Sequence, residues 1–141
     1  MAKILVIDDE KLQLVLRAAL LEGTGHEVVA LENGDEAITA FSETPFDLVI
    51  TDWIMPEITG LDIARQLKSL NPSVPIILLT GLNMLLEEKD PRRQDLDLIL
   101  PKPCDAEVLI KAVERLLYKP DPNKTITTLK KTCSDPSFLS R

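Results

Sequence analysis

The segment Phe46-Asp47-Leu48-Val49-Ile50-Thr51-Asp52-Trp53-Ile54-Met55-Pro56 decides how the chain is read. Leu48 to Ile50 is an unbroken aliphatic and β-branched run, the pattern of a strand buried on both faces. The run ends in a carboxylate, Asp52, and Pro56 keeps the strand from continuing. Open α/β sheets bind ligands at the carboxyl ends of their strands, so Asp52 stands where chemistry is expected. An aspartate after a strand is also a common turn former, and alone it decides little. Three other stretches repeat the pattern.

The first is Lys3 to Ile7, a second buried-strand run that ends in Asp8, Asp9 and Glu10. The next is Val74 to Leu79, apolar throughout and closed by Thr80-Gly81. Leu98 to Leu100 is the last, a brief strand followed by Pro101-Lys102-Pro103. A further strand, His26 to Leu31, precedes Asn33-Gly34, which reads as a turn.

Between the strands lie helical periodicities. Leu12, Val15, Leu16, Ala19 and Leu20 form one apolar face, ended by Gly23 and Gly25. Ala37, Ile38 and Phe41 line a short helix closed by Pro45. Ile63, Ala64, Leu67 and Leu70 line another, stopped by Asn71-Pro72. Met84 to Leu86 suggests a short helix that Asp90-Pro91 breaks. Val108, Leu109, Ala112, Val113, Leu116 and Leu117 mark the last helix, with Asp105 near its start where a carboxylate suits the helix dipole. Five strands alternating with five helices predict an α/β fold with a doubly wound parallel sheet.

The 141 residues suit one domain and a short extra piece: residues 1–118 as the domain and 119–141 as a tail or the start of a linker. That last stretch is Pro-, Thr- and Lys-rich, unlike the acidic body. The net charge of −7 argues against a nucleic-acid backbone as the main partner. Two cysteines, Cys104 and Cys133, are too few for a disulfide framework and point to a reduced cytosol. The first apolar run is too short for a signal peptide or a membrane span, so a cytoplasmic protein without membrane contact is expected.

On such a sheet Asp8, Asp9, Asp52, Thr80 and Lys102 come to one edge. Crowded carboxylates repel one another unless a cation joins them. Oxygen-only ligands with a shell completed by water suit magnesium, Mg2+. Lys102 adds a point charge and Thr80 a hydroxyl, and Gly81 keeps the space above the carboxylate open. These are the groups needed to transfer a phosphoryl group onto a carboxylate.

The motifs Ile7-Asp8-Asp9-Glu10, Asp52-Trp53-Ile54-Met55-Pro56, Thr80-Gly81 and Lys102-Pro103 resemble those of the receiver domain of two-component response regulators, over roughly Lys3 to Leu117. The resemblance implies a CheY-like, flavodoxin-like (βα)5 fold with five parallel strands in the order 2-1-3-4-5. It makes Asp52 the phosphoacceptor, loaded by a sensor histidine kinase or a phosphotransfer protein. Asp9, Asp52 and the Ile54 carbonyl would hold magnesium directly, and Asp8 through a metal-bound water. Thr80 and Lys102 would contact the phosphoryl oxygens, and the Lys102–Pro103 bond would be cis. The implied role is a signalling switch rather than an enzyme, acting on an unknown downstream effector and compatible with a phosphorylation-linked dimer. The chain would be a stand-alone receiver or part of a longer protein, since a DNA-binding domain needs on the order of fifty further residues.

Three positions depart from the family. Ile99 replaces the usual switch aromatic, Asp95-Leu96 replaces a Gly-Ala pair, and Cys104 replaces an aromatic after Lys-Pro. All lie near the face that usually reports phosphorylation. A rival reading is a magnesium-dependent aspartyl-phosphate phosphatase of the haloacid dehalogenase type. It needs an aspartate pair spaced differently from Asp8-Asp9 after the first strand, and it has no place for the Asp52 motif. Four residues read more plainly: His26 as a surface or capping residue, Cys104 as a small structural residue, Trp53 as a partly exposed neighbour of the acceptor, and Glu10 with Glu87-Glu88 as solvated acids.

Overall fold

The structure, a computed structural model, describes residues 2–53, 55, 57–81 and 90–118. Five strands form one parallel sheet: β1 (Lys3–Ile7), β2 (Glu27–Leu31), β3 (Leu48–Asp52), β4 (Ile76–Thr80) and β5 (Leu98–Pro101). Their order is β2-β1-β3-β4-β5, as the resemblance implies. Among the described residues three α-helices connect successive strands, α1 (Lys11–Glu22), α2 (Gly34–Glu43) and α3 (Gly60–Leu70), and a fourth, α4 (Ala106–Leu117), follows β5. A 3-10 turn at Pro91–Asp95 precedes β5. The short helix expected at Met84–Leu86 lies outside the described residues.

Each side of the sheet has its own core, because alternate residues of a strand point to opposite faces. Leu5, Ile7, Val49, Ile76 and Leu78 pack beneath α2 and α3, against Ala37, Phe41, Ile63, Ala64 and Leu67. Ile4, Val6, Leu48, Ile50, Ile77 and Leu79 pack beneath α1 and α4. Every residue of β3 and β4 is buried, so the aliphatic runs read from the sequence are the central strands. On the α4 side the expected stripe faces the core: Leu109, Ala112, Val113 and Leu116 are buried, and Val108 and Leu117 are half-buried against the same cluster.

The expected face of α1 is not the buried one. Leu14 and Leu21 are buried, while Leu12, Val15 and Leu16 are 69%, 55% and 57% exposed. The helix is apolar around much of its girth, so its periodicity fits more than one inward face. The stripe that meets the sheet is Leu14, Arg17 and Leu21, spaced i, i+3 and i+7. Two smaller corrections concern polar residues. Asn33 is not in a turn but caps α2, its side chain accepting from the Asp35 and Glu36 N–H groups. His26 is buried, not a surface residue, and its Nδ1 accepts the Ala2 N–H at 3.2 Å. Leu70, expected on the inner face of α3, is exposed.

The connection after β3 is held tightly against the acceptor strand. The Gly60 N–H donates to the Trp53 carbonyl at 2.7 Å. A Cβ on Gly60 would stand 2.1 Å from the Asp52 carbonyl oxygen, so only glycine allows α3 to begin this close. Thr59 caps the helix by accepting the Asp62 N–H.

Candidate functional site

The carboxyl ends of β1, β3, β4 and β5 converge at one edge of the sheet. In register, Ile7 pairs with Thr51, Asp52 with Leu79 and Thr80 with Pro101, so the residues that follow or end these strands are neighbours. The sequence separates Asp8, Asp52, Thr80 and Lys102 widely; the parallel register brings them together.

Asp8, Asp9 and Asp52 each bring one oxygen to within 4.8 Å of the others. Asp8 is fully buried and Asp52 is 7% exposed, whereas Asp9 faces solvent. Lys102 reaches between them, with its Nζ 2.5 Å from Asp52 Oδ1 and 3.6 Å from Asp8 Oδ2. The Lys102 backbone N–H donates to the Thr80 carbonyl at 2.7 Å, which fixes β5 and its lysine beside β4. The Lys102–Pro103 peptide bond is cis, as expected. Thr80 is buried at the end of β4 and its hydroxyl donates to the Gly81 carbonyl at 3.3 Å. Among the described residues a Cβ on Gly81 would meet nothing within 4 Å, so they leave the space beside the hydroxyl open. Ile54, the expected carbonyl ligand, lies outside the described residues.

Burial acts most strongly on Asp52, raising its pKa above the ordinary 3.8. The hydrogen bond from Lys102 opposes that rise, the Asp8 carboxylate adds to it, and the charges of Lys102 and Arg17 pull it back. A carboxylate made more basic in this way is a better nucleophile than an exposed one.

Arg17 is the residue that reading the sequence missed. Its Nη1 donates to Asp8 Oδ2 at 2.8 Å, and its side chain is 11% exposed. The other Asp8 oxygen accepts the Glu10 N–H at 2.9 Å. The signal was the i, i+3, i+7 spacing of Leu14, Arg17 and Leu21, which the longer apolar stripe concealed. Trp53 is half-buried next to the acceptor, as expected. Cys104 is half-buried and packs against the α1–α4 core, as a small structural residue does. Glu10 is exposed, and Glu87-Glu88 lie outside the described residues. Ile99 is half-buried and packs against the α2–α3 core.

The donors present suit a hard dication. They are oxygen-only, they carry an excess of negative charge, and Asp9 has no hydrogen bond or ion pair among the described residues. No helix among the described residues is long and apolar enough to cross a membrane.

Comparisons with known proteins agree with this geometry. A family model described as the response regulator receiver domain matches residues 4–114. The protein PilH of Pseudomonas aeruginosa is 31% identical over 119 residues, covering 83% of this chain and 98% of its own. A receiver domain protein from Clostridium thermocellum superposes with a TM-score of 0.76 at 36% identity, covering 83% of this chain and 94% of its own. The response regulator TrrA of Thermotoga maritima, solved in complex with Mg2+-BeF, superposes at 0.75 with 34% identity, covering 83% and 100%. From the strand order, the converging acids and these matches together, the chain belongs to the response regulator receiver domains of two-component signalling, a family of CheY-like switches.

Proposed function

We propose that the chain is a phosphoacceptor switch in which Asp52 takes a phosphoryl group from a sensor histidine kinase or a phosphotransfer protein. The observation that carries this reading is Asp52 itself, a nearly buried carboxylate at a strand end with its Oδ1 on Lys102 and two further acids within reach. In the transfer, an Asp52 oxygen attacks phosphorus as the donor's phosphorus–nitrogen bond breaks, and the donor imidazole keeps the departing electron pair. Lys102 stays beside the acceptor and offsets charge on the phosphoryl oxygens, while Thr80 offers its hydroxyl across the open space above Gly81. The backbone contact from Gly60 to Trp53 holds the acceptor strand still while this happens.

Magnesium, when bound, neutralises the acids and the developing phosphoryl charge. Asp9, Asp52 and the Ile54 carbonyl would be its direct protein ligands. Asp8 would act through water, which suits a carboxylate whose two oxygens already accept from the Glu10 N–H and from Arg17, with the Lys102 charge 3.6 Å away. The phosphorylated chain then changes its affinity for a downstream protein. Ile99 stands where receivers usually carry the switch aromatic, so there is no ring at this position to turn inward, and coupling to that face is expected to be weaker or differently built.

Incubation with acetyl phosphate and magnesium tests the acceptor. One phosphoryl group, removable by hydroxylamine, is expected by intact mass, and none in Asp52→Asn, because an amide is not nucleophilic. Stable labelling of the Asp52→Asn protein would overturn the assignment.

A further inference from the structure

We infer that Arg17 is a tethered cation that sets the magnesium threshold of the site and couples metal loading to arrival of the phosphoryl group. The inference rests on the phosphoacceptor reading and concerns how that site is filled. Arg17 enters the acidic cluster from α1, a different element from those that carry the other charges. Its guanidinium lies on fully buried Asp8, on the same oxygen that Lys102 approaches. An arginine there cannot lose its proton, so its charge is permanent.

The charge balance gives the consequence. Asp8, Asp9 and Asp52 with Lys102 alone would leave two net negative charges, which a dication cancels. With Arg17 present only one net negative charge remains, so a bound dication leaves the site positive. Phosphorylating Asp52 adds one negative charge, and only then is the site neutral. Arg17 therefore opposes the metal alone and favours metal and phosphoryl group together. Arg17 also lines an open hollow of about 530 Å³ with Gln13, Leu16, Lys102 and Cys104, so the site is open to solvent ions on this side.

A purely structural role, clamping α1 to β1 through Asp8, would not produce this pattern. Arg17→Gln separates the two, since it keeps an N–H donor and removes the charge. The expected results at low ionic strength are magnesium binding tighter by about tenfold in Arg17→Gln, and beryllofluoride binding to the magnesium-saturated protein weaker by roughly threefold. Calorimetric titration of the purified chain reads both. Arg17→Met, which packs beside Leu14 and Leu21 without charge, is the second variant, and the same tightening is expected. Unchanged or weaker magnesium binding in whichever of these variants folds, judged by circular dichroism, would overturn the role of Arg17. The Asp9→Ala arm tests the underlying reading separately. Loss of magnesium binding there supports the site, and wild-type affinity there would mean that the metal lies elsewhere.

Discussion

Helices α1 and α4 cover the same face of the sheet and meet it in opposite ways. The α4 helix lays an unbroken apolar stripe on the strands, with Leu109, Ala112, Val113 and Leu116 buried and Val108 and Leu117 half-buried against the same core. The α1 helix turns Leu12, Val15 and Leu16 to solvent and places an arginine between its two buried leucines. The two helices have similar lengths, so propensity does not explain the difference. It follows from what lies beneath them. At α4 the buried stripe packs on aliphatic strand residues such as Ile50, Ile77 and Leu100, and burial favours the apolar face. Beneath α1 lies Asp8, a fully buried carboxylate, and an unpaired charge there would be costly. A helix with several equivalent apolar faces adopts the one that also supplies the counter-charge. One helix is thus a cover for the core, and the other is a cover that also serves the site.

The contrast can be broken by mutation, and the largest effects are expected where both helices behave alike. Leu21→Ala in α1 and Leu116→Ala in α4 remove fully or almost fully buried side chains, and each should cost about 3 kcal/mol in urea denaturation. Similar losses from the two would show that α1 is packed as firmly as α4 where it does touch the sheet.

Arg17→Met should come next. In metal-free buffer it removes a charge-assisted hydrogen bond from buried Asp8, and about 1–2 kcal/mol of stability should go with it. Added magnesium should raise the melting temperature more in this variant than in the wild type, because a ligand stabilises in proportion to its affinity. No α4 substitution should show that dependence on the metal.

Asp52 offers a subtler test through pH. Its folded pKa is raised, chiefly by burial, so the folded protein disfavours the ionised form relative to the unfolded chain. The sign follows: this contribution is most favourable below the unfolded value of 3.8 and is lost as pH rises through the higher folded value. In chelator at neutral pH, Asp52→Asn should therefore melt at a higher temperature than the wild type, and the gap should close as the pH falls towards 4. A gap that widened on acidification would mean that Lys102 outweighs burial.

The smallest effects belong to the outer side of α1. Leu12→Ser and Leu16→Ser should shift stability by less than about 0.5 kcal/mol, since both side chains are already mostly in water. A loss comparable to that of Leu21→Ala would restore the face that periodicity alone suggests.

The sheet could be read from the residues because its central strands are buried on both faces and carry only one kind of pattern. Leu48 to Ile50 and Ile76 to Leu79 leave no alternative phase, and the polar residue ending each run marks the site edge. The site acids, Thr80 and Lys102 were legible for the same reason, being fixed to strand ends that parallel pairing must align. Helix phase was legible at α4, where one stripe is apolar and the opposite side is charged. It failed at α1, where Leu12, Leu14, Val15, Leu16, Leu20 and Leu21 surround the axis and local pattern cannot choose among them. The choice is made by the ion pair between Arg17 and Asp8, nine residues apart in the chain, which the spacing of apolar residues does not register. His26 was misjudged for a related reason: its partner is the backbone of Ala2, brought near by the pairing of β1 with β2.

The central claim is that the acids at the ends of β1 and β3 act as one metal-loaded acceptor. Trp53, the sole tryptophan, follows Asp52 directly and is half-buried, so its emission reports on this place. Magnesium titration of the wild type should change that emission in a saturable way, and beryllofluoride should change it again. Both responses should vanish in an Asp9→Ala, Asp52→Asn double variant that remains folded, while Thr80→Ala should keep the metal response. A magnesium response that persists unchanged in the double variant would contradict the account.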